Sequence, residues 1–209
     1  MRTLLSMTEK EQSPEEAASA RKVLHLDPRS LRGIAHPLRM RILRSLRMDG
    51  PATASQLAQR MGESSGATSY HLRQLAEYGF VEDDPERGKG RERWWRAVYE
   101  GTHVGDDLSR DADPEVRGAY STFMHEHATN HAEETSTWIA TGHEWSRDWV
   151  ESADISDFTL HLTPDRAAEL KAKMHELIEG YRALAPEDGT PDAAKVRVHT
   201  HLIPTRHTD

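Results

Sequence analysis

The sequence predicts an α+β, mainly helical fold in two unequal parts, and three observations carry that expectation. Apolar residues recur every three or four positions through residues 28–78 and again through 114–142, the period of helices with one buried stripe. Two short runs, FVEDD and ERWWRAVY, alternate instead and flank PERGKGR, where Gly88 and Gly90 supply turn freedom. Charge is segregated: residues 21–100 hold about 15 Lys plus Arg against about 10 Asp plus Glu, whereas residues 101–209 hold about 10 against about 21.

The bulk composition narrows the function classes. A chain of 209 residues with 30% charged residues can bury two modest cores. Its mean hydropathy is -0.78, and no apolar run approaches the roughly eighteen residues that span a bilayer. Only Leu4 and Leu5 precede acidic sequence, too little for a signal peptide, so a cytoplasmic location without membrane attachment is expected. Zero cysteines exclude disulfides, thiolate metal sites and a cysteine nucleophile. Residues 1–20 are expected as a disordered tail, because their Glu, Ser, Lys and Pro cannot offset the entropy of ordering.

Residues 21–100 form the first expected domain. Asp27-Pro28 reads as a helix cap followed by proline at the first helical position, opening a short helix through Leu31 and Ile34. Pro37 opens a second, with Leu38, Ile42, Leu43 and Leu46 inward and four arginines largely outward. Thr53-Ala54-Ser55-Gln56 has capping-box spacing and starts a third helix that ends at Gly62. After a short turn, Ser64 or Ser65 caps a fourth, GATSYHLRQLAEYGFVE. Thr68, Leu72, Leu75 and Ala76 make its apolar stripe, and Gly79 ends it.

The other face of that fourth helix carries Ser69, Tyr70, Arg73 and Gln74, with His71 on its flank. Taken alone, such a face suits a reading surface or an ordinary solvated one. Its neighbours decide: helix, helix, helix-turn-helix and basic hairpin is the winged-helix order, and one helix fits the DNA major groove. Ser69, Tyr70, Arg73 and Gln74 then reach bases or phosphates, while Ser64 and Ser65 lie at a helix start suited to phosphate. Arg87, Lys89 and Arg91 on the wing, residues 85–91, add backbone or minor-groove contacts.

AHPLRMRIL, ATASQLAQRMG, SSGATSYHLRQLAEYGFVE and GRERWWRAV together resemble ArsR-type winged helix-turn-helix transcriptional regulators over residues 27–100. The resemblance implies a homodimer on double-stranded DNA with two half-sites, responding to an effector, and Ser69, Tyr70, His71 and Arg73 match its recognition positions. The cysteine pair of its metal-sensing members is absent, with Ala58 and Gln59 in that neighbourhood.

Residues 101–113, rich in Gly, Asp and Pro, are expected as a linker. Residues 114–209 then form a dimerisation and effector-binding domain: a long dimerisation helix from Pro114, followed by a small β-α-β unit in which DFTLHLT and KVRVHTHLIP are the strands. Tyr120, Trp138, Trp145 and Trp149 form the aromatic cluster best able to line an effector pocket, against ordinary core packing. His127 and His131 have the i,i+4 spacing of a metal pair, and His125 and Glu134 complete an alternative metal site, with packed histidines as the commoner outcome.

The leading expectation is a non-enzymatic, sequence-specific DNA-binding repressor without a cofactor, acting as a homodimer through helix 65–78 and the wing. The rivals are a winged-helix protein-interaction module and a histidine-ligated metal sensor or metalloenzyme.

Overall fold

Short capped helices dominate the first hundred residues of the computed structural model, which describes residues 22–87, 92–186 and 189–205. At helix α1 (Pro28–Ile34), Asp27 Oδ1 accepts from the Ser30 amide at 2.7 Å while Ser30 Oγ accepts from the Asp27 amide at 2.9 Å. Two otherwise orphaned donors are satisfied at once. Helix α2 (Pro37–Met48) is capped by His36, whose Nδ1 accepts from the Leu38 amide at 3.2 Å. Thr53 and Gln56 close a second reciprocal box at helix α3 (Ala54–Met61), and Gly62 ends it in the left-handed region at φ 67°. Ser64 Oγ then caps helix α4 (Ser65–Glu77) by accepting from the Ala67 amide.

Among the described residues five short strands complete this region: β1 (Val23–Leu26), β2 (Ala52–Thr53), β3 (Val81–Asp83), β4 (Trp94–Ala97) and β5 (Gly101–Val104). The alternating runs pair as the antiparallel hairpin β3–β4, with Asp83 opposite Trp95, and β2 joins the far side of β4 in the order β2-β4-β3. Strands β1 and β5 pair in parallel.

The core follows the apolar stripes. Leu31, Ile42, Leu43, Leu57, Leu72, Leu75 and Phe80 are sealed from solvent in one cluster. Each such side chain contributes about 1.5–3 kcal/mol relative to exposure. Helix α5 (Pro114–Thr141) adds Val116 and Phe123 to the same cluster.

Two expectations change here. Residues 101–113 are not a plain linker: they carry β5 and a 3-10 turn at Asp106–Arg110 whose Leu108 is buried. Thr102 and Val104 find a ladder partner in β1, a distant parallel pairing that no local composition announces. The α2 arginines do not point largely outward either. Arg39, Arg41, Arg44 and Arg47 are all half-buried and donate to Arg32 O, Met61 O, Asn130 Oδ1 and Tyr99 O respectively. Their long apolar stems cover the core while each guanidinium binds a nearby acceptor.

The chain divides into two compact units, Met1–Glu133 and Glu134–Asp209. The second holds helix α6 (Arg147–Ser152) and helix α7 (Pro164–Ala183), the latter capped by Thr163. The expected strands of a β-α-β unit are not formed: DFTLHLT and KVRVHTHLIP have no ladder, and Phe158, Leu160, Val196 and Val198 are exposed. Alternation specifies which side of a strand is apolar, but hydrogen-bond partners must come from elsewhere. Glu134 instead holds this unit's last described segment, accepting from Arg197 Nε at 3.1 Å and meeting His199 Nε2 at 2.7 Å. Among the described residues no helix is long and apolar enough to cross a membrane.

Candidate nucleic-acid interface

Helix α4 owes its orientation to one fully buried stripe. Thr68, Leu72 and Leu75 are 0% exposed, and the Thr68 hydroxyl donates to Ser64 O, so the opposite face must look outward. On that face Tyr70 and Arg73 are exposed, Ser69 is half-buried, and half-buried Gln74 donates to Glu77 Oε2 at 3.3 Å. Ser64 and Ser65 are exposed at the helix start. Tyr70, Arg73 and Ser69 therefore stand together with free polar atoms, whereas Gln74 must exchange an intrahelical partner to read a base.

His71 departs from that face. Its ring packs 4.5 Å from the His36 ring, and its Nδ1 is buried without a hydrogen-bond partner. Burial, and then the His36 ring and Arg39, hold His71 below the ordinary imidazole value. Burial and Arg39 do the same to His36.

A groove of about 280 Å³ lies between the start of α3, the outer face of α4 and strand β4. Ser55, Ser69, Arg73 and Arg93 line it, with Thr53 and Trp95 at its base and Glu92 as its single acidic group. Arg93 is held in place twice, by Asp83 at 2.9 Å and by the Trp95 ring 4.3 Å away. Two guanidinium groups, two hydroxyls and a helix start facing one groove suit an oxyanion such as a phosphate. Ser55 and Arg93 were missed by the sequence reading, although the capping box at Thr53 and the alternation in ERWW carried the signal.

On the wing, Arg87 is exposed and lies 3.7 Å from Asp84, while Lys89 and Arg91 fall outside the described residues. Residues 34–84 match the helix-turn-helix domain family. The helix-turn-helix match spans helices α2 to α4 and strand β3, the framework just described, and leaves the acidic remainder of the chain outside it.

No curated protein matches the chain significantly. Among solved structures, the homodimeric winged helix-turn-helix DNA-binding domain of Mb0332 from Mycobacterium bovis, described as a possible ArsR-family regulator, is 23% identical. The match covers 59% of this chain and 94% of that one, with a TM-score of 0.31. A mutant of ZitR from Lactococcus lactis in apo form is 17% identical over 70% of this chain and 83% of its own, with a TM-score of 0.30. Transcriptional regulator Tm0710 from Thermotoga maritima is 12% identical over 74% and 81%, with a TM-score of 0.28.

The other candidate clusters assemble only in part. Trp138, Trp145 and Trp149 follow one another at ring separations of 6.2 and 6.1 Å, and Trp138 borders a concavity of about 450 Å³ with Ile139, Val150 and Ile155. Tyr120 packs against the core of the first unit. The His127 and His131 rings lie 4.3 Å apart and tilted by 59°, while His125 bonds Ser121 O and Glu134 is engaged by Arg197 and His199. Among the described residues no group of three or more His, Cys, Asp or Glu is arranged to hold a metal ion.

Proposed function

We propose that this chain is a cytoplasmic, sequence-specific DNA-binding transcriptional regulator of the ArsR type, acting as a homodimeric repressor rather than as an enzyme. The observation that carries this reading is helix α4. Its inner stripe is sealed, which leaves Ser69, Tyr70 and Arg73 projecting from a rigid element inside a helix-turn-helix domain. Arg73 reads guanine, Ser69 and Tyr70 contact base edges or phosphates, and Gln74 serves adenine once released from Glu77. Ser64 and Ser65 fix register on the backbone. Arg87 and Lys89 with Arg91 on the wing add sequence-independent attraction. The acidic portion from residue 114 onward mediates dimerisation, and the concavity beside Trp138 takes a small-molecule effector.

Selection of genomic fragments with the purified chain tests this. A recurring motif in two half-sites one helical turn apart is the expected result. Its affinity should fall with salt, and Arg73→Ala should weaken it by ~1–3 kcal/mol while relaxing one base position. Recovery of random fragments, or a motif bound equally well by Arg73→Ala, overturns the proposal.

A further inference from the structure

The two rings that join helix α2 to helix α4 have a property the DNA-reading face does not need. His36 is the cap of α2: because Nδ1 accepts from the Leu38 amide, the neutral ring carries its proton on Nε2. A second proton must go to Nδ1, which abolishes the cap and places positive charge at a helix start where the dipole is already positive. His71, on α4, has its Nδ1 buried with nothing to accept from it or donate to it. A proton added there is a charge in a poorly solvated site. With the rings 4.5 Å apart, charging both also sets like charges against each other.

The surroundings reinforce this. Arg39, from α2, acts against a charge on either ring, and its own Nε is buried without a partner. A backbone hydrogen bond and Glu126 of α5 favour protonation of His36, and Glu63 of the α3–α4 turn favours that of His71, but on each ring burial and Arg39 outweigh them. Tyr70 sits edge-on to His71 at 5.1 Å, and Tyr70 and Tyr78 act electrostatically on Arg39.

We propose that His36 and His71 form an acid-sensitive latch: neutral, they hold α4 against α2 in its DNA-reading position, and protonation of the pair releases it. The second half rests on the reading of α4 as the DNA-contacting helix. The sign follows from the environment of the docked rings. A docked pair resists protons that an undocked pair accepts at the ordinary imidazole value. Docking is therefore fully favoured above that value and loses ground as pH falls from it toward the lowered value of the docked rings.

The experiment uses the full chain without DNA, followed at about pH 7.5 and about pH 5.5 at constant ionic strength, the range in which an imidazole changes charge. Ring resonances of His36 and His71 should titrate below the ordinary value. Amide exchange across residues 65–77 should accelerate severalfold beyond its intrinsic pH dependence, in the direction that linkage requires. Affinity for a selected DNA fragment should fall by about the same factor. His36→Asn combined with His71→Gln, where asparagine keeps the cap, should lose both responses.

Rings that titrate at or above the ordinary value, exchange that does not change, affinity that holds steady, or a double variant with the wild-type response would each overturn the latch. Should the double variant not fold, the wild-type ring titration and exchange decide alone. Failure to select any DNA fragment bears on the role of α4 and leaves the DNA-free measurements to judge the latch.

Discussion

Arg44 donates to the Asn130 side-chain oxygen at 3.1 Å, tying helix α2 to helix α5 across 86 positions of sequence. Asn130 is only 8% exposed, and its amide also donates to Glu126 O at 2.8 Å. Asn130→Ala removes one acceptor from a half-buried guanidinium and breaks the link between α2 and α5, and should destabilise the first unit by ~1–3 kcal/mol in denaturant unfolding. An unchanged midpoint would mean that solvent replaces the contact at no cost.

Gly33 is needed for space. A Cβ there would meet the Tyr78 ring at 2.4 Å, too close for any side chain, and Arg29 lies over the same ring at 5.6 Å. Gly33→Ala should cost ~1–3 kcal/mol by overpacking, and the cost should shrink in a Tyr78→Ala background. Equal costs in the two backgrounds would place the clash elsewhere.

Arg73 and Arg93 line one groove but should separate in function. Arg93→Ala should weaken DNA binding evenly across sequences and lower the salt slope by about one, the mark of a phosphate contact. Arg73→Ala should change the ranking of sequences as well. Titrations of the selected fragment and of point-substituted fragments at several salt concentrations distinguish the two, and identical profiles would contradict the assignment.

The Asp27 cap gives a pH prediction at the acid end. Side-chain and backbone hydrogen bonds from Ser30 hold its carboxylate below the ordinary value. Its contribution is therefore fully present above that ordinary value and is lost as pH falls through the lowered one. Asp27→Asn keeps a capping oxygen but cannot ionise, so the loss of stability on acidification should be shallower in the variant. Acid unfolding curves that superimpose would remove the carboxylate as a cause.

The legible parts of this fold are those whose determinants lie within a few residues of one another. The caps at Asp27, Thr53 and Ser64 and the stripe Thr68, Leu72, Leu75 are local, and each appears where its spacing put it. The illegible parts depend on distant partners. VLHL becomes β1 only because β5 lies beside it, and His71 leaves the reading face only because His36 does. The opposite error occurs at Phe158 and Val196, where the pattern was present and the partner was not. The groove at Arg93 falls between: Trp95 and Asp83 are its neighbours on the hairpin, but its closeness to Arg73 needed the fold.

The engagement of Arg39, Arg41, Arg44 and Arg47 with internal oxygens has a consequence for ion release. A tally of cations over the basic half overstates how many can displace counterions from a duplex, since these four are committed to holding their own helix. The salt exponent of binding should reflect only cations outside α2, and so fall short of the full tally. Neutralising any one of the α2 arginines should lower the melting temperature before it alters that exponent.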